Sequence, residues 1–514
     1  MFMSKLTQQV TYPVVEIKSG KLRGICKEGG YIFRGIRYGQ AERFQTAKPI
    51  APWPGIRDAL VYGYVAPELY TKVADDQFQQ QHYYSPQHED CQYLNVWTQH
   101  LVREAKRPVV AWFHGGGWGS GSSVEQFAYD GENMSRYGDV VFVSIEHRLN
   151  CLGSLDLSAY GEKYMDSNWA ALSDTLLALR WIQENITAFG GDPDNVTLIG
   201  HAGGGPQVMT LLNCCDADGL YHKVALGGNT IHGGEPETMT PREVAQRVTD
   251  LIVQNLGLTK ETIAEIETIP YWYLAEAAFD ARNQIQKETG CRFVFEPLPD
   301  EEHLFSFSLD RPLRAETAHI PIMAGGDFGD ACSNFRRPLG DNLKDSWDEA
   351  TKSAYLDEMY GSSAEAMAEA FRQAYPEKNL ADALFIDRKA RFKNLEILKK
   401  HAAAGGVAWN WVFALNFPID GGTVSWHCSD NPYITHNAQF YEATYVPGVS
   451  ERIQDQLCGA YVAFASTGDP NHELIPEWKP VNAEHMYTMI FDETTRLGKD
   501  HDKRLQELLG PWKE

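Results

Sequence analysis

Residues 196–205 read Val-Thr-Leu-Ile-Gly-His-Ala-Gly-Gly-Gly, an apolar strand that runs straight into glycines. A strand that ends this way and resumes as a helix must reverse in a very tight turn. The residue at the apex of such a turn sits in a strained backbone conformation, and side chains on its neighbours would obstruct it. Gly200, Gly203 and Gly204 meet that demand, and Ala202 stands at the apex. The pattern is the strand-turn-helix of a nucleophile elbow, with alanine where serine is expected.

The rest of the chain supplies partners for such a strand. Pro108-Val109-Val110-Ala111-Trp112-Phe113 and Val140-Val141-Phe142-Val143-Ser144-Ile145 are too continuously apolar for half-exposed strands. They read as strands buried on both faces of a parallel sheet. Ala178, Ile182, Ile186 and Phe189 recur with helical spacing on one face, and Gly190-Gly191-Asp192-Pro193 ends that helix. Strand, helix, strand, turn and helix predict an α/β fold with a doubly wound sheet. Segments at about 235–315 and 340–400 read as polar, helical excursions from the sheet. Pro321–Gly325 and Val407–Phe413 restore the strand pattern after them. Residues 1–514 are accordingly expected to form one interrupted domain.

Composition narrows the function classes. With 46 basic and 69 acidic side chains the net charge is −23, which disfavours nucleic acid and anionic membrane surfaces as partners. The first nine residues lack the apolar core of a signal peptide, and no stretch approaches the ~20 apolar residues of a membrane span. Nine cysteines are too few for a disulfide scaffold. Together these predict a cytoplasmic protein, and N-x-Ser/Thr sequences starting at Asn133, Asn185 and Asn195 then arise by chance.

A second glycine-rich segment, His114-Gly115-Gly116-Gly117-Trp118, follows the first apolar run. Glycines there let the backbone pass close to a ligand with its N–H groups free. Beside a nucleophile elbow, such a loop serves to stabilise an oxyanion. For the glycines around Ala202 a phosphate-binding loop is the weaker reading, because no Lys-Ser/Thr pair follows them and the spacing does not match a P-loop. His114, His201 and Cys428 lack zinc-site spacing, so no metal or organic cofactor is expected.

With these motifs the chain resembles the type-B carboxylesterases, the α/β-hydrolase family that includes cholinesterases and bacterial para-nitrobenzyl esterases. The likeness also covers Phe33-Arg34-Gly35-Ile36-Arg37-Tyr38, Ala41-Glu42-Arg43-Phe44, Glu89–Val96 and Phe464–Asn471. It implies a mostly parallel central sheet flanked by helices, with helical insertions forming a gorge over the site. It implies a nucleophile position at Ala202, an acid at Asp330 and a histidine at His427. Oxyanion donors would be the N–H groups of Gly116, Gly117 and Gly203. Trp118, Trp426 and His201 are expected at the substrate, and the pairs Arg43–Glu89 and Arg148–Asp174 are expected as structural ion pairs.

The chain departs from the family at several positions. His201 replaces a glutamate, Ala331 a glycine and His147 a tyrosine, while Cys91 lacks its family partner. Only Ala202 removes an atom the chemistry needs. A serine hydrolase carrying a Ser-to-Ala substitution and a naturally non-catalytic binding protein both fit that alanine. A reaction needing no nucleophile is a third reading. The favoured one is a carboxylic ester hydrolase written here in an inactive form, acting on a neutral small-molecule ester. Amides and carbamates remain open as substrates, and monomer or dimer as the oligomeric state.

Overall fold

The computed structural model describes residues 12–69, 83, 85–228, 239–290, 292–307 and 313–510. The amino-terminal residues read above for a targeting signal lie outside that range, as does Cys291. An 11-stranded sheet forms the centre. Its strands are β1 (Ile25–Lys27), β2 (Gly30–Arg37), β3 (Tyr93–Thr98), β4 (Arg107–Phe113), β5 (Val141–Ile145) and β6 (Gly191–His201). They continue with β7 (Lys223–Gly227), β8 (Ile322–Gly325), β9 (Ala408–Phe413), β10 (Tyr487–Phe491) and β11 (Arg496–Lys499). The spatial order is β11-β10-β9-β8-β7-β6-β4-β5-β3-β2-β1. Pairing is parallel from β5 through β4 and β6 to β10, and antiparallel at both edges.

The two apolar runs explain the layers. Side chains alternate along a strand. Val109, Ala111 and Phe113 therefore face one core with Val141, Val143 and Ile145, while Val110, Trp112 and Phe142 face the other. Helix α1 (Ala170–Asn185) covers the first face through Leu172, Ala178, Leu179 and Ile182. Ile186 and Phe189 follow in one 3₁₀ turn, and Gly190 stops it in the left-handed region at φ 77°. Helix α2 (Gly204–Leu212) leaves the end of β6.

The first excursion carries two packed helices, α3 (Pro241–Asn255) and α4 (Tyr271–Thr289). A capping box between Thr240 and Glu243, with Pro241 in the first turn, sets where α3 begins. The expected helical character does not extend to 315. Residues 292–307 carry no helix, and one short 3₁₀ turn at Ala315–Thr317 precedes β8. Pro297 and Pro299 fall in this stretch, and proline removes a helix donor and restricts the residue before it. The second excursion holds α5 (Glu349–Tyr360) and α6 (Ala364–Ala374), followed by α7 (Ala390–Ala403) before β9. Helix α8 (Ser450–Thr467) covers the second face of the sheet through Ile453, Leu457, Tyr461 and Phe464. No helix among the described residues is long and apolar enough to cross a membrane.

Both ion pairs expected from the resemblance form. Arg148 and Asp174 are almost wholly buried, with Nη2–Oδ1 at 2.7 Å and Nε–Oδ2 at 2.8 Å. Arg43 holds Glu89 through Nε at 2.7 Å and through a second contact from Nη2. The eight described cysteines are free, Cys91 among them.

Candidate active site

The site gathers at the carboxyl ends of β4, β6, β7 and β8, where a parallel sheet leaves its crevice. Ala202 caps β6 with φ 52°, a left-handed conformation that costs a non-glycine residue energy. Its N–H donates to Gly227 O at 3.0 Å, and its carbonyl accepts from Gly205 N at 3.1 Å. The glycines around it are required by close approach. A Cβ on Gly200 would lie 2.2 Å from Gly204 O, and one on Gly203 would lie 2.1 Å from Gly117 N and 3.1 Å from Gly116 N. Gly203 therefore sits directly on the glycine loop after β4. Gly116 and Gly117 turn through φ 105° and 63° there, and Trp118 follows at 61°. Among the described residues, the N–H groups of Gly116, Gly117 and Gly203 donate to no protein acceptor.

Asp330 opens a 3₁₀ turn five residues beyond the end of β8 and is buried. His427 lies in the loop after β9, with Nδ1 3.1 Å from each oxygen of Asp330. The ring therefore donates from Nδ1, and its Nε2 points away from the carboxylate. His201, next to Ala202 in the chain, places its ring 5.7 Å from that of His427. Gly228 lies between these groups: a Cβ on it would meet His427, Asp330 and His201 at 3.3–3.4 Å.

Two residues to which the sequence assigns no role in catalysis complete the cluster. Asp430 is fully buried, with its oxygens 2.9 and 3.0 Å from His201 Nε2. Cys428 holds φ 71° and lies 3.5 Å from His201 Nδ1. Burial pulls the His201 pKa down, but Asp430 and then Cys428 outweigh it and push the imidazole up to about 10. His201 is thus an imidazolium that donates to Asp430 and to the Cys428 sulfur. Burial likewise opposes protonation of His427, and Cys428 and Asp330 raise it well above the usual imidazole range. The Cys428 thiol, pushed up by burial, is held below its ordinary value by His427 and His201. Ligand atoms of His201, Asp327 and Asp430 also lie within 4.8 Å of one another. His201 donates to Asp430 there, while burial and then Asp430 push the Asp327 carboxyl well above the usual carboxylate range.

Trp118, Trp426 and His201, the residues expected at the substrate, are all buried. Trp426 is fully buried against Phe335 and Phe417, and Trp118 is buried edge-on against His147. His201 turns inward to Asp430. A cavity of about 380 Å³ opens instead on Gly116 and Gly117, walled by α4 and residues 292–295. His114 and His147 stack beneath the glycine loop with ring centres 5.1 Å apart. Burial and the neighbouring imidazole push His114 down to about 3, so it stays neutral.

The sequence model of the Carboxylesterase family matches residues 11–507. The chain belongs to that family. Para-nitrobenzyl esterase of Bacillus subtilis (strain 168) is 26% identical over 98% of this chain and 100% of its own length. Phenmedipham hydrolase of Pseudarthrobacter oxydans is 28% identical, covering 96% of this chain and 97% of its own. Among solved structures, an esterase from anaerobic Clostridium hathewayi that can hydrolyze aliphatic aromatic polyesters is 39% identical. It superimposes with a TM-score of 0.90 over 97% of this chain and 99% of its own. A Geobacillus stearothermophilus carboxylesterase is 26% identical with a TM-score of 0.74, over 97% and 100% of the two chains. The fold is that of the α/β-hydrolases, and carboxylic ester hydrolysis is the chemistry of the family.

Proposed function

We propose that this site is built for serine-type ester hydrolysis and that Ala202 leaves it able to bind an ester but not to attack one. Ala202 occupies the nucleophile position, Asp330 orients His427, and the N–H groups of Gly116, Gly117 and Gly203 receive the oxyanion. The observation that carries the reading is the apposition of Gly203 on Gly117 beside a left-handed Ala202. Three undonated N–H groups converging next to a strained apex have no structural task of their own. The Nδ1–carboxylate bond of His427 gives the tautomer whose Nε2 accepts a proton.

With serine at 202, Oγ would bond to the ester carbonyl carbon as its proton moves to His427 Nε2. The carbonyl oxygen gains the negative charge and takes hydrogen bonds from the three N–H groups. Collapse breaks the bond to the alcohol, which leaves with the proton from His427. A water activated by the same nitrogen then frees the acid and restores Oγ–H. Alanine offers neither the proton nor the lone pair. A fluorophosphonate ester is expected to label the Ala202→Ser form at residue 202 and to leave the chain as it stands unlabelled. A serine form that hydrolyses no ester, amide or carbamate and takes no label would mean that the site only binds.

Two further results are expected in the serine form. His427 must be neutral to accept the proton, so turnover appears as pH rises through its pKa. Because Cys428 and Asp330 raise that pKa, the acid limb of kcat/KM should lie above the ordinary histidine value of about 6.5. Cys428→Gly removes the sulfur and relieves the positive φ, so the limb should move toward lower pH. A limb unmoved by that change would remove Cys428 from the electrostatics of His427. Gly203→Ala places a methyl 2.1 Å from Gly117 N. It should lower kcat by about 10²–10³, the usual effect of losing an oxyanion donor. Unchanged kcat in a folded Gly203→Ala protein would move the oxyanion site elsewhere.

A further inference from the structure

The cavity on the glycine loop contains positive charge that no carboxylate among the described residues pairs with. Arg282, half-buried on α4, and Arg292, just beyond it, both line the cavity that Gly116 and Gly117 also line. Arg282 is half-buried, and its Nε donates to the Phe293 carbonyl at 3.2 Å. Among the described residues, no carboxylate lies within ion-pair distance of either guanidinium. Arg292 is exposed, whereas arginines that are half-buried or buried elsewhere are answered: Arg43 by Glu89, Arg314 by Asp218, Arg391 by Asp502. In a chain with 69 acidic and 46 basic side chains, two unanswered arginines in one pocket are a local inversion of charge. Phe279, Phe293 and Phe295 supply apolar wall beside them.

Resting on the ester-hydrolase reading above, we propose that the substrate carries a carboxylate, held by Arg282 and Arg292 while its ester carbonyl lies on Gly116 and Gly117. Such a substrate is a monoester of a dicarboxylic acid, or an ester whose alcohol part bears an acid, with an apolar body between the two ends. Guanidinium and carboxylate match as planar forks, and a bond between them is stronger in a partly dry pocket than in water. Burial, then repulsion from Arg292, brings the Arg282 pKa down to about 10, so Arg282 stays cationic at neutral pH and an anion between the two guanidinium groups relieves their repulsion. The negative surface of the protein does not overrule them. Its field is screened over about 8–10 Å at physiological salt, so it slows the approach of an anion but does not set the charge preference inside the cavity. The neutral substrate expected from net charge alone therefore gives way to an anionic one.

The test compares matched esters on the Ala202→Ser protein. For the acyl side the pair is the 4-nitrophenyl monoester of glutaric acid and 4-nitrophenyl valerate. For the alcohol side it is 4-acetoxybenzoate and its methyl ester. At least one anionic member should exceed its neutral partner in kcat/KM by about tenfold or more, the effect of one charge-assisted hydrogen bond or better. That ratio should fall toward one in Arg282→Gln/Arg292→Gln, mainly through KM. The pair that shows the preference tells which side of the ester carries the acid. Neutral esters preferred in both pairs, or a ratio the double variant does not change, overturns the proposal.

If the serine form turns over nothing, the esterase reading fails, and calorimetry on the Ala202 chain decides the subsite by itself. Binding of 4-acetoxybenzoate that is lost in the double variant upholds the anion site. No binding at millimolar ligand rejects it.

Discussion

Ala202→Ser is expected to raise hydrolysis of short-chain para-nitrophenyl esters by about 10³–10⁶-fold, the span set by what loss of a triad nucleophile costs other serine hydrolases. Serine adds a single oxygen at a position whose backbone already holds φ 52°, so the substitution introduces little new strain. The surroundings are prepared for it. Gly115 has no Cβ to crowd the new group, since one there would stand only 3.1 Å from that of Ala202. Residues of a triad act as a unit, so adding His427→Ala should return turnover to the level of the Ala202 chain rather than subtract a fixed fraction. Steady-state rates on the four combinations of residues 202 and 427 test this. If serine gains nothing, or if the gain survives loss of His427, the triad assignment fails.

Asp430→Asn should destabilise the fold by about 3–5 kcal/mol, because it strands a buried imidazolium without its counter-charge. His201 and Asp430 are both almost wholly buried, with Nε2–Oδ1 at 2.9 Å. The pair also predicts a pH dependence. His201 is raised from the ordinary value of about 6.5 to about 10 in the folded state. The stabilisation it contributes is therefore fully present below pH ~6.5 and is lost as pH rises through about 10. Urea unfolding of the parent chain and of the Asp430→Asn variant should differ most at neutral pH and below, and the difference should shrink toward pH ~10. A difference independent of pH would mean that His201 is neutral in the fold. Replacing both partners by leucine should recover much of the loss, since it removes both buried charges together.

The α/β architecture was readable because its signals are local. Continuous apolar runs at Pro108–Phe113 and Val140–Ile145 can be satisfied only by burial on both faces, and both became central strands. The glycines about Ala202 follow from a turn whose close approaches exclude a Cβ. Asp330 and His427 carry no local signature, and their order in a family resemblance was the only signal for them. Polar, helical composition marks the excursions but does not show that residues 292–307 carry no helix or that 292–295 line the cavity.

Side-chain partnership across distant segments was beyond that reading. Trp118 and Trp426 suggested a gorge by residue type alone, yet the packing of the second core takes Trp426 and the stack under the glycine loop takes Trp118. His201 and Asp430 stand 229 positions apart, and Arg282 meets the glycine loop across more than half that span. The sequence by itself determined the sheet, the elbow and the absence of a nucleophile at its apex. Those depend on backbone sterics and apolar periodicity within a few residues. Only the tertiary structure decided which charges are paired, which are left open and where the cavity lies, because charge compensation and void space are properties of segments brought together by folding.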